Sequence, residues 1–271
     1  MKAAVLGSPV SHSLSPVLHR AAYDALDLTH TYEAIEVPKA GLIDFVNGLD
    51  ANWLGLSLTM PLKEVAFELL PACDELAIKT GAINTLVFSD VLRGYNTDVL
   101  GIVDAVREAG HETIATATIF GSGASARSAL VALRELGANE VSVVARNEID
   151  IVRMAELGTQ LNLDVKSHAL GETTWMESDL VINTTPAGVL DEIAQQVFRP
   201  QGLLLDVVYD PWPTQLAACW SVTGGQILSG LSMLLHQAGH QVNLMTGEVA
   251  PLGQMRDALN SELLARGLST I

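Results

Sequence analysis

The sequence of 271 residues has few basic side chains. Lys and Arg number 15 against 31 Asp and Glu, which gives a formal net charge of −16 at pH 7. Nucleic-acid binding and anionic-membrane binding both need basic patches, so this balance argues against both kinds of partner. An anionic ligand has to be held by local hydrogen-bond donors against an unfavourable overall field.

Paired cysteines and long apolar runs are also missing. Cys73 and Cys219 are isolated and form no CxxC motif, which predicts reduced, buried, unreactive thiols in a cytoplasmic protein. No run of about 18 apolar residues occurs, so no membrane span is predicted. The apolar run at the N-terminus is short and ends at Gly7, so no signal peptide is expected.

What the sequence does contain is typical of a well-packed α/β enzyme. Hydrophobic residues make up 49% of the chain and charged residues 17%, with 22 glycines. The length is sufficient for one large domain or two modest ones.

The stretch Gly55–Lys63 (GLSLTMPLK) combines the end of an apolar segment with a proline and a single lysine. A buried strand is predicted over 53–58, and Pro61 ends it because proline lacks the backbone N–H. Lys63 then lies just past the carboxyl end of a strand, where open α/β sheets place their ligands. A lysine there can act as a partly desolvated acid or base. The alternative is that Lys63 caps a surface turn.

A hydroxyl-rich loop follows the first predicted strand, which covers 2–6. We predict a helix after it, with Ser15 as N-cap and Pro16 at the first helical position. Ser13 and Ser15 would then lie near a helix N-terminus, where hydroxyls and free amides can hold a carboxylate. The alternative is that Ser15 is only a cap.

Four polar residues stand at the ends of predicted strands in an apolar neighbourhood: Asn84, Asn96, Thr97 and Asp98. Buried polar groups need hydrogen-bond partners. Either these residues bond one another, or a ligand bonds them.

A βαβ unit is predicted after residue 110, with a strand over 116–120, a helix over 128–136 and a strand over 141–145. The segment GSGASA (121–126) joins the first strand to the helix. Gly121 allows a tight turn, Gly123 allows close approach of a pyrophosphate, and Ala126 is an accepted substitute at the third position. The pattern predicts a bound dinucleotide at the helix N-terminus.

The end of the next strand bears on which dinucleotide binds. An NAD site usually has Asp or Glu there, whereas this chain has Arg146, which suits a 2′-phosphate. NADP is therefore favoured. Glu148 and Asp150 argue for NAD, because their charge would repel that phosphate.

In order along the chain, these motifs resemble the shikimate dehydrogenase family over nearly the whole length. The matching segments are 11–16 (SHSLSP), 55–63, 81–85 (GAINT), 96–98 (NTD), 121–123, 183–188 (NTTPAG), 206–209 (DVVY) and 230–237. The resemblance implies an α/β fold with two domains separated by a cleft. An open α/β substrate domain would comprise 1–98 plus 231–271, and a Rossmann-type dinucleotide-binding domain would comprise 99–230.

The resemblance also implies reversible, NADPH-dependent reduction of 3-dehydroshikimate to shikimate in the biosynthesis of chorismate and aromatic amino acids. Lys63 and Asp98 would be the catalytic pair. The implied substrate-binding residues are Ser13, Ser15, Thr59, Lys63, Asn84, Asp98, Tyr209 and Gln237. The implied cofactor-binding residues are Gly121, Ser122, Gly123, Ala124, Ser125, Arg146, Asn147, Val207 and Gly230. The enzyme would act on a small-molecule substrate in the cytoplasm, as a monomer or homodimer.

The chain departs from the family pattern at a few positions. The family usually has Asn at the positions of Ser57 and Arg20, often a third glycine at Ala124, and often a basic residue at Asp150. Ser57 is a candidate for altering substrate contacts. Asp150 keeps open the related NAD-dependent quinate/shikimate dehydrogenases.

Two further classes are weaker alternatives. A nucleotide-sensing binding protein without turnover is conceivable, but the intact Lys63 and Asp98 argue against it. His236 and His240 are spaced four apart on a predicted helix, but no third metal ligand is evident nearby, so no metal site is predicted. His12 is expected to stabilise its loop rather than to bind a ligand.

Overall fold

The computed structural model describes residues 1–70, 72–168 and 174–271. The chain divides into two compact units, the first comprising Met1–Gly101 with Leu234–Ile271 and the second Ile102–Met233. None of the helices within the described residues has the length and apolar character needed to cross a membrane.

Within the described part of the chain, twelve strands form two sheets of six. They are β1 (Lys2–Gly7), β2 (Thr31–Glu36), β3 (Trp53–Leu58), β4 (Ala72–Cys73), β5 (Thr85–Val87), β6 (Arg93–Tyr95), β7 (Thr116–Phe120), β8 (Glu140–Val144), β9 (Asp164–His168), β10 (Leu180–Asn183), β11 (Leu203–Asp206) and β12 (Gln226–Ser229).

The α-helices are α1 (Ser15–Ala25), α2 (Leu42–Asn47), α3 (Glu75–Thr80), α4 (Asp98–Glu108), α5 (Ala124–Glu135), α6 (Glu148–Gln160), α7 (Asp191–Ala194), α8 (Gln215–Val222), α9 (Gly230–Thr246) and α10 (Leu252–Ala265). Short 3-10 turns cover Lys39–Gly41, Val65–Leu69 and Thr174–Glu177.

The first sheet has the order β2-β1-β3-β5-β6-β4. Strands β2, β1 and β3 are parallel, while β5 is antiparallel to both β3 and β6. The carboxyl ends of β1, β3 and β6 therefore meet the amino end of β5 at one edge of the sheet. This edge gathers four connecting segments that are far apart in the sequence, including those that carry Lys63, Asn84 and Asp98.

The second sheet has the order β12-β11-β10-β7-β8-β9, and each of its described strand pairings is parallel. Counted from β7, this is the 3-2-1-4-5-6 order of the doubly wound dinucleotide-binding fold. The strand order reverses between β7 and β10, and ligands of such sheets bind at that switch point. The predicted α/β class with a Rossmann-type unit is confirmed.

Several local predictions need correction. Leu14 rather than Ser15 stands at the N-cap position of α1, and Ser15 is the first helical residue, followed by Pro16. The apolar segment after Lys63 forms only the 3-10 turn Val65–Leu69. Helix α5 begins at Ala124 rather than Ser128, because no residue of the glycine-rich segment after Gly123 interrupts it.

The cysteine prediction was wrong in one respect. Cys73 and Cys219 are free thiols, as expected, but both are half-buried rather than buried. Cys73 belongs to the two-residue strand β4, next to β6, and so little sheet surrounds it. Burial raises the pKa of the Cys73 thiol above its usual value.

Candidate active site

The segment after β3 positions Lys63. The Lys63 carbonyl accepts a hydrogen bond from Ile83 N at 2.8 Å, and Leu62 N bonds the Thr59 carbonyl at 2.8 Å. These two bonds fix the backbone on both sides of the turn. The lysine side chain is 14% exposed, so it is not the surface cap that the alternative interpretation required.

Lys63 Nζ donates to Asp98 Oδ2 at 2.6 Å. Asp98 opens helix α4, and its side chain is 6% exposed. Its backbone N–H bonds Asn96 Oδ1 at 3.0 Å, so the residue just after β6 holds the carboxylate in place. Two charged groups 35 residues apart in sequence thus meet with little solvent between them. A hydrogen bond between ionised groups of this length is strong and directional.

Asn84 lies at the centre of the polar group and is 1% exposed. Its Nδ2 donates to Asp98 Oδ1 at 2.8 Å and to Thr97 Oγ1 at 2.9 Å. Its Oδ1 accepts from Thr97 N at 2.8 Å and from Thr85 Oγ1 at 2.8 Å. The polar residues at the strand ends therefore bond one another, which was one of the two predicted outcomes.

Gln237 reaches the same group from helix α9, near the other end of the chain. Its Oε1 lies 3.3 Å from Asn84 Nδ2 and 3.4 Å from Thr97 Oγ1. Its Nε2 bonds the Leu234 carbonyl at 3.1 Å, which orients the oxygen toward Asn84. The structure thus brings Lys63, Asp98, Asn84 and Gln237 together.

The hydroxyl-rich loop after β1, which carries Ser13, lies at the same edge of the first sheet. Ser8 N bonds the Met60 carbonyl at 3.1 Å, and Thr59 N bonds the Leu6 carbonyl at 2.9 Å, so the segments after β1 and β3 run side by side. Further along the loop, Ser15 is buried and its N–H bonds Ser13 Oγ at 3.3 Å. The hydroxyls of the two serines lie on the first turn of α1 and just before it.

The glycine turn follows β7 in the second unit. Gly121 has a φ of +109°, and a Cβ there would collide with Thr184 Oγ1, so only glycine fits. A Cβ on Gly123 would meet no described protein atom within 4 Å. The space beside Gly123 is therefore open to a ligand, next to the free backbone N–H groups at the start of α5.

A pocket of about 250 Å³ lies at the carboxyl ends of β7, β8 and β10. Its lining includes Gly121 and Ser122 from the turn, Arg146 and Asn147 from the end of β8, and Thr185 from the loop after β10. Arg146 is exposed and can meet an anion. The residues present therefore fit a dinucleotide that carries a phosphate near Arg146.

Asn147 and Asp150, beside this pocket, both have partners within helix α6. Asn147 is the N-cap of α6, and its Oδ1 accepts from Ile149 N and Asp150 N. The Asp150 carboxylate pairs with Arg153 at 3.1 Å. The neighbouring guanidinium therefore offsets part of the charge of Asp150.

Residues 206–230 hold the remaining candidates. Val207 and Gly230 are in contact, because a Cβ on Gly230 would collide with the Val207 carbonyl oxygen. Tyr209 is half-buried in the loop after β11. Sequence reasoning assigned no role to Asp206 or Asn183, which organise this region. Asp206 is fully buried and accepts from Asn183 Nδ2 at 3.0 Å and from Thr214 Oγ1 at 2.6 Å. Burial raises the pKa of its carboxyl.

The pair His236 and His240 forms no evident metal site. His236 is buried and His240 is half-buried on α9. Within residues 1–70, 72–168 and 174–271, no group of three His, Cys, Asp or Glu is arranged to hold a metal ion.

A doubly wound parallel sheet with a glycine turn at its switch point, together with a unit holding a shielded Lys–Asp pair, defines a two-unit α/β oxidoreductase of the dinucleotide-dependent class. The family model described as "Shikimate dehydrogenase substrate binding domain" matches residues 5–86, and that described as "Shikimate 5'-dehydrogenase C-terminal domain" matches residues 230–259.

Relatives match the chain over almost its full length. The shikimate dehydrogenase (NADP(+)) of Methanococcoides burtonii is 34% identical over 269 residues, covering 96% of this chain and 97% of the relative. The chain belongs to the shikimate dehydrogenase family, and the predicted resemblance is confirmed.

Solved structures agree. The Mycobacterium tuberculosis shikimate dehydrogenase structure is 40% identical, with a TM-score of 0.89 and coverage of 96% of this chain and 99% of that one. The Thermus thermophilus enzyme, solved in complex with NADP(H) and shikimate, is 30% identical, with a TM-score of 0.85 and the same coverages.

Proposed function

We propose that the protein catalyses the reversible, NADPH-dependent reduction of 3-dehydroshikimate to shikimate in aromatic amino-acid biosynthesis. The observation that carries the proposal is the shielded Lys63–Asp98 pair, bonded at 2.6 Å in a chain of this family. The enzyme would act in the cytoplasm as a monomer or homodimer.

The proton chemistry falls to Lys63. The bound dinucleotide supplies a hydride to the ketone carbon. The carbonyl oxygen gains the electron pair of the broken π bond and must be protonated to avoid costly negative charge. Lys63 Nζ gives that proton, and its amine is reprotonated from solvent. Asp98 Oδ2 keeps the ammonium oriented toward the oxygen, and in the oxidation direction the same amine accepts the proton.

The substrate would be held by groups at the same edge of the first sheet. Ser13 and Ser15 would bind its carboxylate with hydroxyls at the start of α1. Its hydroxyls would bond Thr59, Asn84, Asp98 and Gln237, and Tyr209 would lie near the carboxylate. A site whose polar groups expect substrate hydroxyls strongly rejects analogues that lack them.

The cofactor would be held in the second unit. The turn comprising Gly121, Ser122, Gly123, Ala124 and Ser125 would bind the pyrophosphate. Arg146 would contact the 2′-phosphate of NADP, and Asn147 would shape the adenosine pocket as the cap of α6. Val207 and Gly230 would lie near the nicotinamide. Together these assignments make residues 99–230 the dinucleotide domain, and residues 1–98 with 231–271 the substrate domain.

Asp150 favours a second candidate, an NAD-dependent quinate/shikimate dehydrogenase. Its carboxylate would repel a 2′-phosphate. The ion pair with Arg153 weakens that repulsion, although an exposed pair of this kind contributes little free energy. NADP is favoured because the exposed guanidinium of Arg146 can contact its 2′-phosphate.

A kinetic matrix tests the proposal. Initial rates are measured for shikimate and quinate, each with NADP and NAD. We expect the highest kcat/KM for shikimate with NADP. A preference for quinate with NAD would support the second candidate. Nucleotide binding without turnover in any combination would overturn the proposal in favour of a nucleotide-sensing protein.

A further inference from the structure

Gln241 lies one helical turn after Gln237 on α9 and is 1% exposed. Its Oε1 accepts from Ser57 Oγ at 2.8 Å, and its Nε2 donates to Thr85 Oγ1 at 2.9 Å and to the Asn84 backbone carbonyl at 3.2 Å. The carboxamide thus bonds the buried strands β3 and β5 directly behind Asn84.

These contacts allow only one orientation of the Gln241 amide. If the amide were reversed, its oxygen would face the Asn84 carbonyl oxygen, which also accepts from Leu58 N at 2.7 Å. Two buried acceptors would then oppose each other with no proton between them. In the observed orientation, Nε2 faces both Thr85 and Asn84.

The orientation of the Gln241 amide sets the donor and acceptor roles in the hydrogen bonds that lead to Asp98. Because Thr85 Oγ1 receives a hydrogen bond from Gln241, its own proton is left for Asn84 Oδ1, 2.8 Å away. With Oδ1 accepting from both Thr85 Oγ1 and the Thr97 backbone N–H, each at 2.8 Å, Asn84 turns Nδ2 toward Asp98 Oδ1 at 2.8 Å. The other oxygen of Asp98 is then left to Lys63.

The series of hydrogen bonds starts at Tyr32, which is fully buried and donates to Ser57 Oγ at 2.6 Å. Ser57 can then give its own proton only to Gln241 Oε1. Burial raises the pKa of the Tyr32 hydroxyl, so this group stays a donor. Ser57 is 4% exposed, and its hydrogen bonds link Tyr32 to Gln241.

We propose that Gln241 is a positioning residue for the dehydrogenase reaction, which fixes the Asn84 amide through Thr85 and so holds Asp98 where it orients Lys63. The inference rests on the proposed function. It assigns the role to the hydrogen-bond donor of Gln241, not to its bulk.

The test is steady-state oxidation of shikimate with NADP. The variants are Gln241→Leu, Thr85→Val, the double variant, Thr85→Ser, and Gln254→Leu as a matched control on an exposed part of α10. A misplaced catalytic group costs up to about 100-fold. We expect kcat to fall about tenfold or more in Gln241→Leu and Thr85→Val, with the KM for NADP unchanged.

Because the two residues act in series, the double variant should be no worse than the poorer single variant. Thr85→Ser keeps the hydroxyl and should restore kcat. Gln254→Leu should match the wild type. A lowered Tm with a normal kcat in Gln241→Leu would overturn the proposal, since that is the signature of a purely structural residue. Additive losses, or no rescue by Thr85→Ser, would also overturn it.

Failure of this inference is distinct from failure of the proposed function. Wild-type turnover of shikimate with unaffected variants would overturn only the role of Gln241. A wild-type protein that does not oxidise shikimate would overturn both. If Gln241→Leu does not fold, Gln241→Met, which keeps the length of the side chain but removes the donor, takes its place in the comparison.

Discussion

Lys63 Nζ and Asp98 Oδ2 lie 2.6 Å apart, and both side chains are largely shielded from solvent. Each is held by its own backbone neighbourhood, Lys63 by Ile83 and Asp98 by Asn96. The pair is therefore set in place before substrate binds. Pre-positioning of this kind lowers the barrier, because the orientation cost is met during folding.

Replacing Asp98 by Asn should lower kcat about tenfold to 100-fold while preserving the fold. The amide matches the carboxylate in shape but cannot orient the ammonium with equal strength, because the ion pair is replaced by a hydrogen bond to a neutral oxygen. Steady-state kinetics with shikimate and NADP provide the measurement. Asp24→Asn, at an exposed position of α1, is the matched control. Wild-type turnover in Asp98→Asn would exclude a role for the carboxylate.

Two glycines of one turn should respond differently to alanine. Gly121→Ala should lower both the Tm and the affinity for NADP, because Gly121 has a φ of +109° and no room for a Cβ. Gly123→Ala should leave the Tm unchanged, since its Cβ meets no described protein atom, but should weaken NADP binding. Thermal unfolding and calorimetric titration with NADP measure both effects. Unchanged NADP affinity in Gly123→Ala would place the pyrophosphate elsewhere.

Arg146 should govern the choice between the two dinucleotides. Arg146→Gln should raise the KM for NADP about tenfold or more and change that for NAD little, because a guanidinium–phosphate contact is worth about 1.5–3 kcal/mol. Arg134→Gln, at an exposed position in the last turn of α5, serves as the control. Equal changes in both KM values would show that Arg146 does not contact the 2′-phosphate.

His19 should make the fold acid-sensitive. Burial lowers its pKa from 6.5 to about 4, so the neutral ring contributes its full stability above pH 6.5, and that stability is lost as the pH falls through about 4. The contribution amounts to about 3 kcal/mol in the free energy of unfolding. Other acidic groups also titrate in this range, so the wild type must be compared with a variant.

His19 Nε2 lies 3.2 Å from Gln241 Oε1. The glutamine of His19→Gln can still donate to that oxygen but has no ring to titrate. Its free energy of unfolding should therefore fall less steeply than that of the wild type between pH 6.5 and 4. Denaturant titrations at several pH values measure the two slopes. Identical slopes would mean that His19 becomes charged without unfolding the protein.

The sequence was informative where a residue type is required by backbone geometry or local pattern. The strand before Lys63 was predicted with the bounds Trp53–Leu58 that the structure shows, because apolar alternation and Pro61 mark it. The glycine turn after β7 was likewise evident. The start of α1 was misassigned by one residue, since Ser15 and Leu14 both precede Pro16 and local preference does not separate them.

The buried network behind Asn84 could not be predicted. Ser57 and Gln241 are 184 residues apart, and their bond depends on how α9 packs on the first sheet. The one available signal was the spacing of Gln237 and Gln241, which puts two amides on one face of an apolar helix. Polar residues on such a face need buried partners, but the sequence does not say which ones.

The most direct test of the central claim is the turnover of Lys63→Met with shikimate and NADP, measured beside the dissociation constant for shikimate. Lys79→Met, which removes a lysine from an exposed helical ion pair, is the control. We predict that kcat falls about 100-fold or more while shikimate binding weakens far less, as expected when an acid–base group is lost. A kcat equal to that of the wild type would contradict the account, because Lys63 would then not be the group that protonates the substrate oxygen.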